Sequence, residues 1–109
     1  HNKSSLSFGQ VKAAIRFIRE HYAERLTLER IAANSLTDKY SLSRKFKELT
    51  GQTVVQFING YRCERIKDLI RDGMPVSEAA VQCGFNNMSF FTKTFKKYTA
   101  KLPSEYKRK

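Results

Sequence analysis

Tyr40, Ser43, Arg44 and Lys47 fall at i, i+3, i+4 and i+7, the spacing that places four side chains on one face of a helix. Ser89, Thr92, Lys93 and Lys96 repeat the set, each 49 positions after its counterpart. Hydroxyls and cations at this spacing donate hydrogen bonds to phosphate oxygens and to the acceptor edges of bases. The other side of each segment is apolar: Leu42, Phe46 and Leu49 in the first, Phe91, Phe95 and Tyr98 in the second. A helix anchored in a core on one side and showing Arg, Lys, Ser and Thr on the other is suited to a DNA major groove. Two such helices in one short chain imply two grooves.

Other chemistries find little footing. Cys63 and Cys83 stand in predicted helices without a CxxC pattern or a nearby His, so they read as small buried apolar residues rather than metal ligands, a disulfide or nucleophiles. His21, late in a predicted helix, suits the negative end of the helix dipole better than a catalytic or metal role. Glu20, Glu24, Glu29, Glu64 and Asp68 lie among basic residues at helical spacings, which reads as surface pairing. No catalytic residue, metal site or cofactor site is assigned, and the chain is not read as an enzyme.

The charge points the same way. Lys and Arg total 21 against 10 Asp and Glu, a net charge of +11 that calls for a polyanionic partner. The excess is local, since 39–47 holds Lys39, Arg44, Lys45 and Lys47 with Asp38 only at its border, and 88–101 holds Lys93, Lys96, Lys97 and Lys101 with no acid. No apolar run approaches the roughly 20 residues that span a bilayer, and no signal-peptide pattern is present, so a membrane is not expected as partner and a cytoplasmic location is. With 40% hydrophobic residues the chain is too apolar for disorder, and at 109 residues it makes one compact unit or two very small ones. The start at His1-Asn2, without Met, is the pattern of an excised fragment and leads us to expect a further N-terminal domain.

The elements that must position the two faces are all helical. Val11, Ala14, Ile15, Ile18 and Tyr22 mark a helix over about 9–23, and Thr27 offers an N-cap for a short second one. Residues 34–37 break the pattern, Asp38 caps the third helix, and Gly51 ends it. Only three to five residues separate the second and third helices, a tight corner. Thr53 caps a helix running to Asp72, expected to be the longest, before Gly73 and Pro75. Gly60 inside it admits a close helix contact. Ser77 is the expected cap of a helix through Cys83, Gly84 ends it, Asn87 caps the next, and Pro103 opens a final turn holding Tyr106. Lys107-Arg108-Lys109 is a charged tail. The organisation expected is a first helix-turn-helix unit over 9–51, a linking helix over 53–72 and a second unit over 75–107.

Residues 76–106, VSEAAVQCGFNNMSFFTKTFKKYTAKLPSEY, resemble the signature of the AraC/XylS family of bacterial transcription regulators. The shared features are Ala79-Ala80, Gly84-Phe85, Ser89-Phe90-Phe91, Lys93, Phe95-Lys96 and Pro103-Ser104-Glu105-Tyr106. Upstream, Ile31-Ala32, Leu42-Ser43-Arg44, Phe46-Lys47, Thr50-Gly51 and Arg62 to Arg65 are similar to the family's first motif and linker. The chain departs from the pattern at Leu36-Thr37, and at Ala100 and Leu102, where Gly and Thr are usual. The resemblance implies an all-α fold of about seven helices, with two helix-turn-helix units joined by a long central helix and entering neighbouring major grooves. It also implies transcription regulation, an activator's role included, as the C-terminal domain of a larger regulator. RNA polymerase is admitted as a further partner, and any effector ligand would bind the N-terminal domain.

By position, the resemblance carries Lys39, Tyr40, Ser43 and Arg44 toward base edges and Lys47 toward phosphate. Arg44 is the residue best shaped for two-pronged reading of a guanine, the competing role being a phosphate clamp or a solvated face. Tyr40 is assigned to sugar or a thymine methyl, with half-buried scaffold as its alternative. In the second unit Met88, Ser89, Thr92 and Lys93 take the base-facing positions and Lys96 the backbone, with Asn87 at the helix entrance. These are shorter side chains, so the first unit is expected to discriminate more. The competing functions are nonspecific nucleic-acid or architectural binding through the basic surface, and an alkyl-transfer repair enzyme with a reactive Cys.

Overall fold

Residues 3–107 are described in the computed structural model of the chain; the readings made of His1-Asn2 and of Arg108-Lys109 lie outside them. Six α-helices run in order: α1 Lys3–His21, α2 Leu28–Asn34, α3 Lys39–Thr50, α4 Val54–Arg71, α5 Val76–Gln82 and α6 Met88–Thr99. A 3-10 turn, Pro103–Tyr106, follows. No strand occurs among the described residues, and the fold is all-α, as the periodicity predicts. None of the described helices is long and apolar enough to cross a membrane.

Local capping explains most of the boundaries. Thr27 Oγ1 accepts the Arg30 amide at 3.1 Å, Asp38 Oδ1 the Ser41 amide at 2.9 Å, and Asn87 Oδ1 the Phe90 amide at 2.8 Å. Each satisfies an amide that the first turn leaves without a partner. Thr53 and Gln56 form a reciprocal box: Thr53 Oγ1 accepts the Gln56 amide at 3.0 Å, and the Thr53 amide donates to Gln56 Oε1 at 2.9 Å. Gly51, at φ 78°, closes α3 with its amide on the Lys47 carbonyl.

Several expectations need correction. The first helix starts at Lys3 rather than near Gly9, and at 19 residues it exceeds the 18 of α4, which was expected to be the longest. Before Gly9 the apolar residues are Leu6 and Phe8, two positions apart and both exposed, so no helical stripe reveals the extra turns. Ser77 does not cap α5: the N-cap position is Pro75, with no side-chain cap, and Ser77 lies inside the first turn. Pro fits there because its missing amide costs nothing at a helix start. Leu49, placed on the apolar stripe, is 49% exposed, since the buried stripe of α3 is carried by Leu42 and Phe46.

The chain divides into two compact units, residues 1–58 and 59–109, the division falling within α4. In the first, Val11, Ala14 and Ile18 of α1 pack with Ile31 and Ala32 of α2, Leu42 and Phe46 of α3, and Val54 and Ile58 of α4. Burying a ring such as Phe46 stabilises by roughly 2 to 3 kcal/mol. In the second, the buried set is Cys63, Ile66, Ile70, Ala79, Ala80, Cys83, Phe85, Phe91 and Phe95. The close contact foreseen at Gly60 is present: a Cβ there would lie 3.3 and 3.4 Å from ring carbons of Tyr98.

The two units repeat one another beyond α3 and α6. Phe46 packs edge-on against Phe57 at 5.6 Å, and Phe95 against Tyr106 at 5.6 Å, both pairs related by 49 positions. Thr50 Oγ1 donates to the Phe46 carbonyl and Thr99 Oγ1 to the Phe95 carbonyl, so the same hydroxyl closes both helices. Upstream the offset is 48, as Ser35 and Cys83 are the C-caps of α2 and α5. The second turn is thus one residue longer than the first.

Candidate nucleic-acid interface

With Leu42 and Phe46 held in the core, helical geometry points the opposite face of α3 outward. Tyr40 is 75% exposed, which removes its alternative as half-buried scaffold. Arg44 and Lys47 are exposed as well. The Arg44 guanidinium makes no hydrogen bond or ion pair among the described residues, so all its donors face solvent. Lys47 Nζ donates to the Gly51 carbonyl at 3.3 Å and to no other of the described residues.

Two residues of this set are already engaged. Lys39 is half-buried, with its Nζ 2.8 Å from Glu29 Oε2 and 5.3 Å from the centre of the Tyr40 ring. A base or phosphate would have to compete with Glu29, whose carboxyl that lysine holds below its ordinary range, chiefly through the hydrogen bond. Ser43 is half-buried and its hydroxyl donates to the Lys39 carbonyl at 2.8 Å, leaving its lone pairs rather than its proton outward.

α6 presents the corresponding surface. Met88 is 42% exposed, and Asn87, Ser89, Lys93 and Lys96 are exposed, while Phe91 and Phe95 are fully buried. The Asn87 carbonyl oxygen is used as the cap, so its amide nitrogen is the part left to contact a ligand. Thr92 repeats Ser43 in detail, with its hydroxyl donating to the Met88 carbonyl at 2.9 Å. α6 contains no acidic residue and α3 contains only Glu48, so the outward cations meet little opposing charge on their own helices.

The corner preceding α3 is unusual. Leu36 adopts φ 58°, a left-handed conformation rare for a branched side chain, and is 86% exposed. Gly84, at φ 106°, occupies the same place in the second unit. The departure noted at Leu36-Thr37 therefore changes the residue at this corner but not the turn, whose Thr37 amide reaches the Ala32 carbonyl at 3.1 Å just as Phe85 reaches Ala80 at 3.0 Å. Ala100 similarly takes the left-handed C-cap of α6 at φ 66°. The Leu102 amide is satisfied by Glu105 Oε2 at 2.8 Å.

Neither thiol is placed for nucleophilic chemistry. Cys63 and Cys83 are free and fully buried, and burial pushes the Cys63 thiol up to about 12 and that of Cys83 above its ordinary value. The acids are paired as expected in most cases: Glu24 with His21 and Arg30, Glu29 with Lys39, Glu64 with Lys67, and Arg65 with Asp68. The partner of Lys39 was not legible beforehand, because Glu29 belongs to a different helix. Spacing within one helix carries no signal of it.

This arrangement defines a pair of helix-turn-helix units, and comparison with known proteins agrees. The pattern of a family described as a helix-turn-helix domain matches residues 31–109. The C-terminal domain of AraT, a response regulator from Geobacillus stearothermophilus, is 28% identical with a TM-score of 0.84, covering 91% of this chain and 84% of that one. The right origin-binding protein of Escherichia coli K12 is 29% identical over 101 residues, 92% of this chain and 35% of that protein. An uncharacterized HTH-type transcriptional regulator of Staphylococcus aureus is 31% identical over 107 residues, 97% of this chain and 14% of that protein. The chain belongs to the AraC-type helix-turn-helix family, a family of DNA-binding domains of transcription regulators. It spans about a third or less of the length of these curated relatives.

Proposed function

We propose that this chain binds double-stranded DNA sequence-specifically, with α3 and α6 each entering one of two successive major grooves, and that it thereby directs transcription. The observation that carries the reading is the matched pair of exposed faces, Tyr40, Arg44 and Lys47 on α3 and Ser89, Lys93 and Lys96 on α6, set 49 positions apart. Charge alone has no need of Ser43 and Thr92 in the same half-buried pose on both helices. Arg44 is assigned to a guanine, Tyr40 and Met88 to sugar or thymine methyl contacts, Asn87, Ser89, Thr92 and Lys93 to base edges, and Lys47 and Lys96 to phosphate. Lys39 enters this set only by exchanging Glu29 for DNA.

The test is selection of bound duplexes from a random pool at physiological salt. Two short conserved blocks about 10 base pairs apart, centre to centre, are expected. Enrichment without any motif would mean that the basic surface acts nonspecifically, as in an architectural protein. The same domain within a longer regulator would place any effector site, and any contact with RNA polymerase, in relation to these two helices.

A further inference from the structure

Tyr106 lies at the C-terminal end of α6, its ring edge-on to Phe95 and its hydroxyl donating to the Thr99 carbonyl at 3.3 Å. Three cations gather on that one ring. Lys67 Nζ is 5.6 Å from its centre, the Arg71 guanidinium carbon 5.3 Å and Lys101 Nζ 5.4 Å. They come from two separate segments, α4 and the stretch after α6, and no two of the charged heads are more than about 11 Å apart. A ring attracts a cation over either face, but it has only two faces, so at least two of the three share one while repelling each other.

The nearby carboxylates compensate Lys67 and leave the charges of Arg71 and Lys101 unpaired among the described residues. Glu64 takes Lys67 at 3.2 Å, Asp68 is held by Arg65, and Glu105 accepts the Leu102 amide. No ion pair among the described residues reaches Arg71 or Lys101, and both are exposed. Tyr106 thus holds in place a guanidinium fork and an ammonium without a counter-ion, which is the donor set that recognises phosphate oxygens. The cluster adjoins the last turn of α6, which carries Lys96. A helix lying in a groove leads at its ends to the sugar-phosphate walls of that groove.

We propose that Arg71 and Lys101, with Lys67 behind them, form a phosphate-binding site organised by Tyr106, and that in the complex it grips a backbone phosphate outside the recognition helix. The second half of this rests on the DNA-binding reading above; the site itself does not. The cluster anchors the second unit without reading sequence, which offsets the shorter base-facing side chains of α6.

Two measurements test it. Titration of the free chain with inorganic phosphate, followed by the Tyr106 ring signals in NMR, should give a saturable response in the millimolar range that the Arg71→Ala/Lys101→Ala variant loses. In DNA binding, the same variant should weaken a selected duplex and a scrambled one by the same factor, about tenfold or more. It should also reduce the steepness of log affinity against log salt by roughly one, the share of a single phosphate. Both side chains are exposed, so circular dichroism should show the fold unchanged. Unchanged affinity for DNA alongside a phosphate response would assign the site to free phosphate and overturn the backbone contact. A loss confined to one sequence would overturn the anchoring role. Absence of any phosphate response would overturn the site. Should the unaltered chain retain no duplex at all, the DNA reading fails, and the phosphate titration still decides whether the site exists.

Discussion

Replacing Arg44 by Ala separates folding from recognition more cleanly than any other change on α3. Its guanidinium has no partner among the described residues, its side chain is exposed, and Ala is at least as good a helix former. Stability should therefore move by no more than about 0.5 kcal/mol. A two-pronged Arg–guanine contact discriminates by about 1 to 3 kcal/mol, or roughly 5- to 150-fold in affinity. The loss should appear at one base pair: the selected duplex weakens by that factor, whereas a duplex already changed at the guanine is bound equally by both chains. Fluorescence anisotropy against the selected duplex and its single-base variants, with thermal melts alongside, measures both quantities. Lys96→Ala supplies the contrast, since a phosphate contact should weaken every duplex alike and flatten the salt slope by about one. If Arg44→Ala behaved like Lys96→Ala, the base-reading assignment would be wrong. If it lowered the melting temperature by many degrees, Arg44 would be part of the scaffold.

Three further outcomes are expected. Leu36→Gly relieves the left-handed strain at an exposed corner and should stabilise the first unit by about 0.5 to 1 kcal/mol, net of the added freedom of the unfolded chain; a lower melting temperature would show that the leucyl side chain packs. The amide and hydroxyl of Ser41 hold the Asp38 carboxyl below its ordinary range, so its contribution is present above that range and lost as pH falls through the lowered value. Acid melts should thus show a pH dependence that Asp38→Asn reduces while the cap survives, and identical acid profiles for the two chains would refute the assignment. Cys63 and Cys83, buried and with raised thiol values, should react with an alkylating probe only as fast as the chain opens, and rapid stoichiometric labelling of the native protein would contradict their burial.

The helices were readable wherever a local rule governs them. Thr27, Asp38, Thr53 and Asn87 cap because each satisfies an amide three residues on, and Gly51 ends α3 because that conformation costs glycine nothing. Phe46, Phe91 and Phe95 are buried because each lies on the apolar stripe of its helix. Ser77 misled because a hydroxyl near a helix start resembles a cap, while the proline two positions earlier had already set the boundary. Leu36 hid its left-handed backbone because nothing about leucine announces it.

Charge was legible as a total and illegible in its detail. From spacing alone Lys39 and Arg44 look equivalent, yet Glu29 takes the first and none of the described residues takes the second. Lys45 is drawn to the side chain of Gln10, 35 positions away, at 2.6 Å. Lys67, Arg71 and Lys101 are scattered over two segments and become a cluster only on Tyr106. By itself, then, the order of residues determined the all-α fold, the caps at Thr27, Asp38, Thr53 and Asn87, the doubled polar face and the family. The tertiary structure decided which cations are free to meet DNA, because ion pairs and cation–ring contacts form between side chains that folding brings together from distant parts of the chain, and no local periodicity encodes that choice.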